Sequence, residues 1–134
     1  MSRPLTLALS ALLLLLAAPA HTGEPTPKPY IPKLAGTWKV NADGTTFIMV
    51  LRQSGEVLSG EWYPADGKAG DGGPMRGSVD AQWLVKLRRH GANQNFEGYV
   101  FRECEQKPRH IAGFFGEGKE RAAFRHAWLA IEQK

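Results

Sequence analysis

The chain has 134 residues, 43% hydrophobic and 22% charged, with 17 Lys+Arg against 13 Asp+Glu for a formal charge of +4. This composition fits one globular domain and excludes a wholly disordered chain, while 15 Gly, 9 Pro and the four Trp, three Tyr and six Phe argue against a helical bundle. A single Cys excludes an intramolecular disulfide framework and a zinc site built on several thiolates, and the charge is too mild for a dedicated nucleic-acid binder.

Met1-Ser2-Arg3 carries one positive charge, Leu5 to Leu16 is almost wholly apolar, and Ala18-Pro19-Ala20 has the small-x-small pattern of a signal-peptidase site. Residues 1–20 therefore read as a secretory signal cleaved after Ala20. The apolar stretch between Pro4 and Pro19 falls short of the ~20 residues a membrane span requires, so no span is expected after cleavage. The expected location is periplasmic or extracellular, where Cys104 has no disulfide partner in its own chain. Residues 21–33 hold four prolines, which bars them from a sheet interior and reads as a disordered, extended tether.

From residue 34 to 134 the pattern changes to short alternating runs, read as a single β-barrel domain. Eight strands are predicted: Leu34–Val40, Thr45–Gln53, Glu56–Tyr63, Pro74–Val79, Gln82–Arg89, Gln94–Arg102, His110–Phe115 and Arg121–Ile131. Most separators are of hairpin length and carry Gly, Asn or Asp where positive φ is needed; the exception is the long Gly-rich loop Pro64–Gly73. Consecutive hairpins imply an antiparallel up-and-down sheet. Closure removes its edges and buries one face of every strand, so the expected class is all-β, an eight-stranded antiparallel up-and-down β-barrel, with a two-sheet sandwich as the alternative.

Taking Trp38 as inward divides each strand by parity. The inward set is Leu34, Gly36, Trp38, Val40, Phe47, Met49, Leu51, Leu58, Gly60, Trp62, Trp83, Val85, Leu87, Phe96, Gly98, Val100, His110, Ala112, Phe114, Phe124, His126 and Trp128. The alternate set holds Lys39, Arg52, Glu61, Lys86, Glu97 and Arg125, which suits solvent. If Gly116–Lys119 forms a tight hairpin, His110 and His126 face each other, and paired imidazoles are candidate ligands for a metal or haem. Two hydrogen-bonded histidines at a barrel rim account for the same pattern. No nucleophile motif or inward carboxylate pair is present, and Asp43, Asp66, Asp71 and Asp80 all fall in turns, so no enzyme activity and no resident cofactor are expected.

Gly36-Thr37-Trp38 resembles the Gly-x-Trp signature of the calycin superfamily of lipocalins, fatty-acid-binding proteins and avidins. With Gly44-Thr-Thr-Phe-Ile48 and Gly55-Glu-Val-Leu-Ser-Gly-Glu-Trp62, the first three strands are similar to the avidin and streptavidin family in order and nearly in spacing. The resemblance implies a calycin-like barrel with a ligand site at its open end. There Thr45 stands in the place of a hydroxyl that binds the ureido group of biotin, Trp62 in that of a tyrosine, and Trp83 in that of a tryptophan. The chain departs from the biotin site elsewhere: Lys39-Val40 stand where the asparagine belongs and Asn41 falls one residue late. Leu87, Phe96 and Phe114 replace tryptophans, and the last strand lacks the aspartate. A site missing those buried donors and acceptors does not hold biotin.

The expected partner is a small apolar or amphipathic molecule, bound by Thr45, Trp62, Trp83, Phe96, Phe114 and Trp128 and covered by the Gly-rich loop. The same aromatics equally serve to fill the core of a small barrel. The competing expectation is a packed barrel that binds an acidic protein partner through the basic loops Arg88-Arg89-His90 and Lys107–His110.

Overall fold

The computed structural model describes residues 23–101, 108–118, 120 and 123–134; the signal segment, its cleavage point, Cys104 and Lys107 lie outside them. Eight strands, β1 (Gly36–Ala42), β2 (Thr45–Ser54), β3 (Val57–Pro64), β4 (Gly73–Val79), β5 (Leu84–Arg89), β6 (Gln94–Phe101), β7 (His110–Glu117) and β8 (His126–Gln133), run antiparallel in sequence order. Pairing of β8 with β1 closes the barrel, so no strand is left with an unpaired edge.

The alternation expected from strand parity is clearest in β1 and β2. In β1, Trp38, Val40 and Ala42 are buried between exposed Lys39 and Asn41, and in β2 Phe47, Met49 and Leu51 are buried. Turn chemistry follows the sequence equally well. Asp43 and Gly44 both take positive φ in the two-residue β1–β2 hairpin, and the Asn41 side-chain oxygen accepts the Gly44 N–H. Asp80 Oδ1 accepts the N–H groups of Gln82 and Leu84 and bends the chain, so β5 begins at Leu84 and Trp83, expected within a strand from Gln82, stands instead in the turn at φ 69°.

The last hairpin departs from expectation. His110 pairs with Ile131, and Phe115 pairs with His126, so the connection occupies residues 118–125 in place of a tight turn at 116–119. His110 and His126 consequently lie at opposite ends of the barrel and do not form a pair. The parity of β7 is also the reverse of that expected: Ile111 and Phe115 are buried, whereas Phe114 is 60% exposed on the outer surface. Gly113 stands inward opposite Trp128, and a Cβ on Gly98 would lie 3.0 Å from Trp128 Cζ2. The two glycines, directly paired with each other, leave the room that the Trp128 indole occupies. Phe124, also expected inward, precedes β8 and lines an outer groove with Tyr99 and Phe114.

One end of the barrel is sealed. Residues 23–35 form no strand, but Tyr30 to Leu34 lie on the barrel: Gln53 accepts the Leu34 N–H and donates to the Pro32 and Gly55 carbonyls, and Tyr30 packs on Trp83 at 5.8 Å. Trp38, fully buried beneath them, donates its indole N–H to the Leu34 carbonyl at 2.9 Å. Arg109 lies 5.7 Å from the Trp38 ring, donates to the Lys33 carbonyl, and holds Glu132 through two bonds of 2.7 and 3.0 Å.

The Arg109 hydrogen bond holds the Glu132 carboxyl below the usual carboxylate range, and the same bond raises Arg109. A depressed carboxylate contributes stability in full above its unfolded value and loses it as pH falls through the folded one. The partly exposed pair is expected to contribute about 1 kcal/mol at neutral pH. That contribution should vanish in Glu132→Gln and fade in the wild type on acidification below about pH 4, as measured by denaturant melts across pH.

Candidate functional site

The opposite end is formed by the β1–β2, β3–β4, β5–β6 and β7–β8 connections. Its interior is not an empty well. Phe47, Trp62, Phe96, Phe115 and Trp128 interlock beneath it: Phe96 stacks on Phe115 at 4.9 Å and meets Trp128 edge-on at 5.3 Å, and Phe47 meets Trp62 and Phe96 edge-on at 6.2 and 6.0 Å. Trp128 donates to the Glu97 carbonyl and Trp62 to the His90 carbonyl, so both indole N–H groups are satisfied inside the plug.

On this aromatic plug lies Arg89. Its guanidinium carbon sits 3.9 Å from the Trp62 ring centre and 4.6 Å from that of Phe47, within cation–π reach of both. Burial pushes the Arg89 pKa down from its ordinary value. Gln94 faces it across the β5–β6 ladder. Arg89 Nε, a donor, and Gln94 Oε1, an acceptor, are both buried without a hydrogen-bond partner.

Above them opens a cavity of about 490 Å³, lined by Arg89, Gln94 and Phe115 and, toward the rim, by Asp43, Thr45, Glu117, Arg125 and His126. His126 Nδ1 lies 2.9 Å from Asp43 Oδ2, and the Asp43 N–H donates to the Ala127 carbonyl, which ties the β1–β2 hairpin to β8. Among the described residues, none from the Gly-rich loop lines this cavity. That loop is held by its own bonds, from the Gly67 N–H to the Pro64 carbonyl and from the Lys68 N–H to Asp71. Among the described residues no group of three or more His, Cys, Asp and Glu stands close enough to hold a metal ion.

The six residues expected to bind a ligand are thus dispersed. Thr45 lines the cavity and Trp62 lies beneath its floor, whereas Phe96 and Trp128 fill the interior. Trp83 belongs to the sealed end and Phe114 to the outer face. Of the two histidines, His126 is on the cavity rim and His110 begins β7 at the far end.

Arg89, Gln94 and Phe115 were missed. The signal for the first two lay in parity: Leu87 and Phe96 point inward, so Arg89 and Gln94, two residues away on the same strands, point inward as well. Charge type misled, because a basic pair beside a turn reads as solvated loop. No known protein family, no curated protein and no solved structure matches this chain.

Proposed function

We propose that this chain is an exported, non-catalytic carrier that binds a small amphipathic molecule at the open end of its barrel, in the manner of calycin-like proteins. The observation that supports this reading is the cavity of about 490 Å³ lined by Arg89, a cation with no carboxylate partner among the described residues. Burial disfavours the charged form of Arg89, and an anionic or hydrogen-bonding occupant would offset that cost. The packed aromatic plug confines that occupant to the mouth, so its site is shallower and more polar than an aromatic-lined barrel interior.

A second reading places the working surface on the outside of β6–β8. Tyr99, Phe101 and Phe114 are each at least half exposed there, and Arg76, Lys86 and Arg88 flank them on β4 and β5. Such a face suits an acidic protein partner with an apolar patch. Native mass spectrometry of the protein isolated from its own host distinguishes the two. A small-molecule adduct lost in Thr45→Trp and kept in Phe114→Ser is the expected result. A protein adduct with the reverse response would replace the first reading by the second, and an adduct insensitive to Thr45→Trp would refute the mouth as its site.

A further inference from the structure

Resting on the open-end reading, we infer that the occupant is a small organic monoanion whose carboxylate is held by Arg89 and Gln94, with its apolar body against Phe115. Arg89 is the deepest charge of the cavity. Among the described residues no carboxylate pairs with it: Asp43 is engaged by His126, and Glu132 by Arg109 at the other end. The Trp62 and Phe47 rings lie 3.9 and 4.6 Å from its guanidinium carbon and hold the group against the plug. A guanidinium that has lost water and gained no counter-charge favours an anion far more than the same group in solvent.

Gln94 completes the cradle. It stands directly opposite Arg89 and lines the same cavity, where its amide N–H groups are donors. A carboxylate in the cavity then accepts from the Arg89 guanidinium with one oxygen and from the Gln94 amide with the other. The exposed carboxylates of Glu117 and Asp43 stand at the rim beside Arg125, so one deep cation faces a nearly neutral entrance. This balance suits a monoanion and disfavours a phosphate dianion, which requires more donors than the floor supplies. Phe115, 5% exposed at the cavity wall, is the apolar surface within reach of such a head group.

The experiment uses 1-naphthoate and 1-naphthamide, which share an aromatic body and differ in the charge of the head group, titrated calorimetrically into the wild type, Arg89→Gln, Arg89→Lys and Thr45→Trp. Naphthoate is expected to bind about tenfold more tightly than naphthamide to the wild type. The preference should fall to parity in Arg89→Gln and return in Arg89→Lys, with both probes lost in Thr45→Trp. Equal wild-type affinities, or a preference unchanged in Arg89→Gln, would overturn the anion assignment and leave the open-end reading standing. Absence of binding by either probe, or binding indifferent to Thr45→Trp, would overturn both. The wild-type ratio needs no variant, so a folding defect in Arg89→Gln does not protect the inference.

Discussion

Trp38→Ala is expected to lower the unfolding free energy by about 4 kcal/mol, the largest loss from any single side-chain truncation in this barrel. The side chain is fully buried and closes the sealed end from within. Its removal opens a cavity that the backbone of a closed sheet cannot collapse to fill, since every neighbouring strand is hydrogen-bonded on both sides. It also strips the Leu34 carbonyl of its indole donor and leaves the Arg109 guanidinium without the ring it lies beside. Trp38→Phe retains most of the packing and loses the hydrogen bond, so a smaller cost of about 1–2 kcal/mol is expected. Against the 5–15 kcal/mol typical of a domain, the alanine variant should melt roughly 20 °C lower. Denaturant titration of both variants checks the pair, and a cost below about 1 kcal/mol for Trp38→Ala would contradict the sealed-end packing.

Gly113→Ala should cost about 3 kcal/mol or more, although it adds a single methyl group. A Cβ at this position would lie 1.9 Å from the Glu97 carbonyl oxygen and 2.5 Å from Gly98 Cα. Both are backbone atoms of the paired strand, so no side-chain rotation relieves the overlap, and only separation of β6 from β7 does. That separation would also withdraw the Glu97 carbonyl from the Trp128 indole, whose 3.1 Å bond fixes the ring over the glycine pair. The outward neighbour Ala112→Ser serves as the control and should change stability by less than about 0.5 kcal/mol. Comparable losses at the two positions would contradict the inward placement of Gly113. Equilibrium unfolding in denaturant, read by tryptophan fluorescence, reports both.

Glycine at 113 also explains where local sequence ceases to be informative. In β1 the apolar Trp38 and Val40 alternate with Lys39 and Asn41, so one parity is plainly apolar. In β7 the run His110-Ile-Ala-Gly-Phe-Phe115 offers an apolar residue to either face, and no charge lies between them to choose. The choice is made by Trp128 on the adjacent strand, which needs the flat surface of Gly98 and Gly113 and so forces Phe114 outward. The connection before β8 is equally silent: Phe124-Arg125-His126-Ala127-Trp128 alternates as a strand would, yet the ladder begins only at His126. A two-residue hairpin such as Asn41-Ala-Asp-Gly44 declares its own register, and a longer connection does not.

The local chemistry of the chain therefore determined the all-β class, the number and order of the strands and the positions of most turns, while closure into a barrel in place of a sandwich came from the pairing of β8 with β1. Each of these follows from period-two alternation and from residues that tolerate positive φ, which are properties of a few neighbouring positions. Tertiary structure alone decided the register of the last hairpin, the sealing of one end by Tyr30 to Leu34 with Trp38 and Arg109, and the packing of the aromatics into a plug. It also set Arg89 on that plug beside Gln94. A charged residue at an inward strand end carries no local sign of whether it turns to solvent or folds over the core. The aromatic faces that hold Arg89 come from β2 and β3, remote in sequence, and only closure of the barrel brings them beneath it.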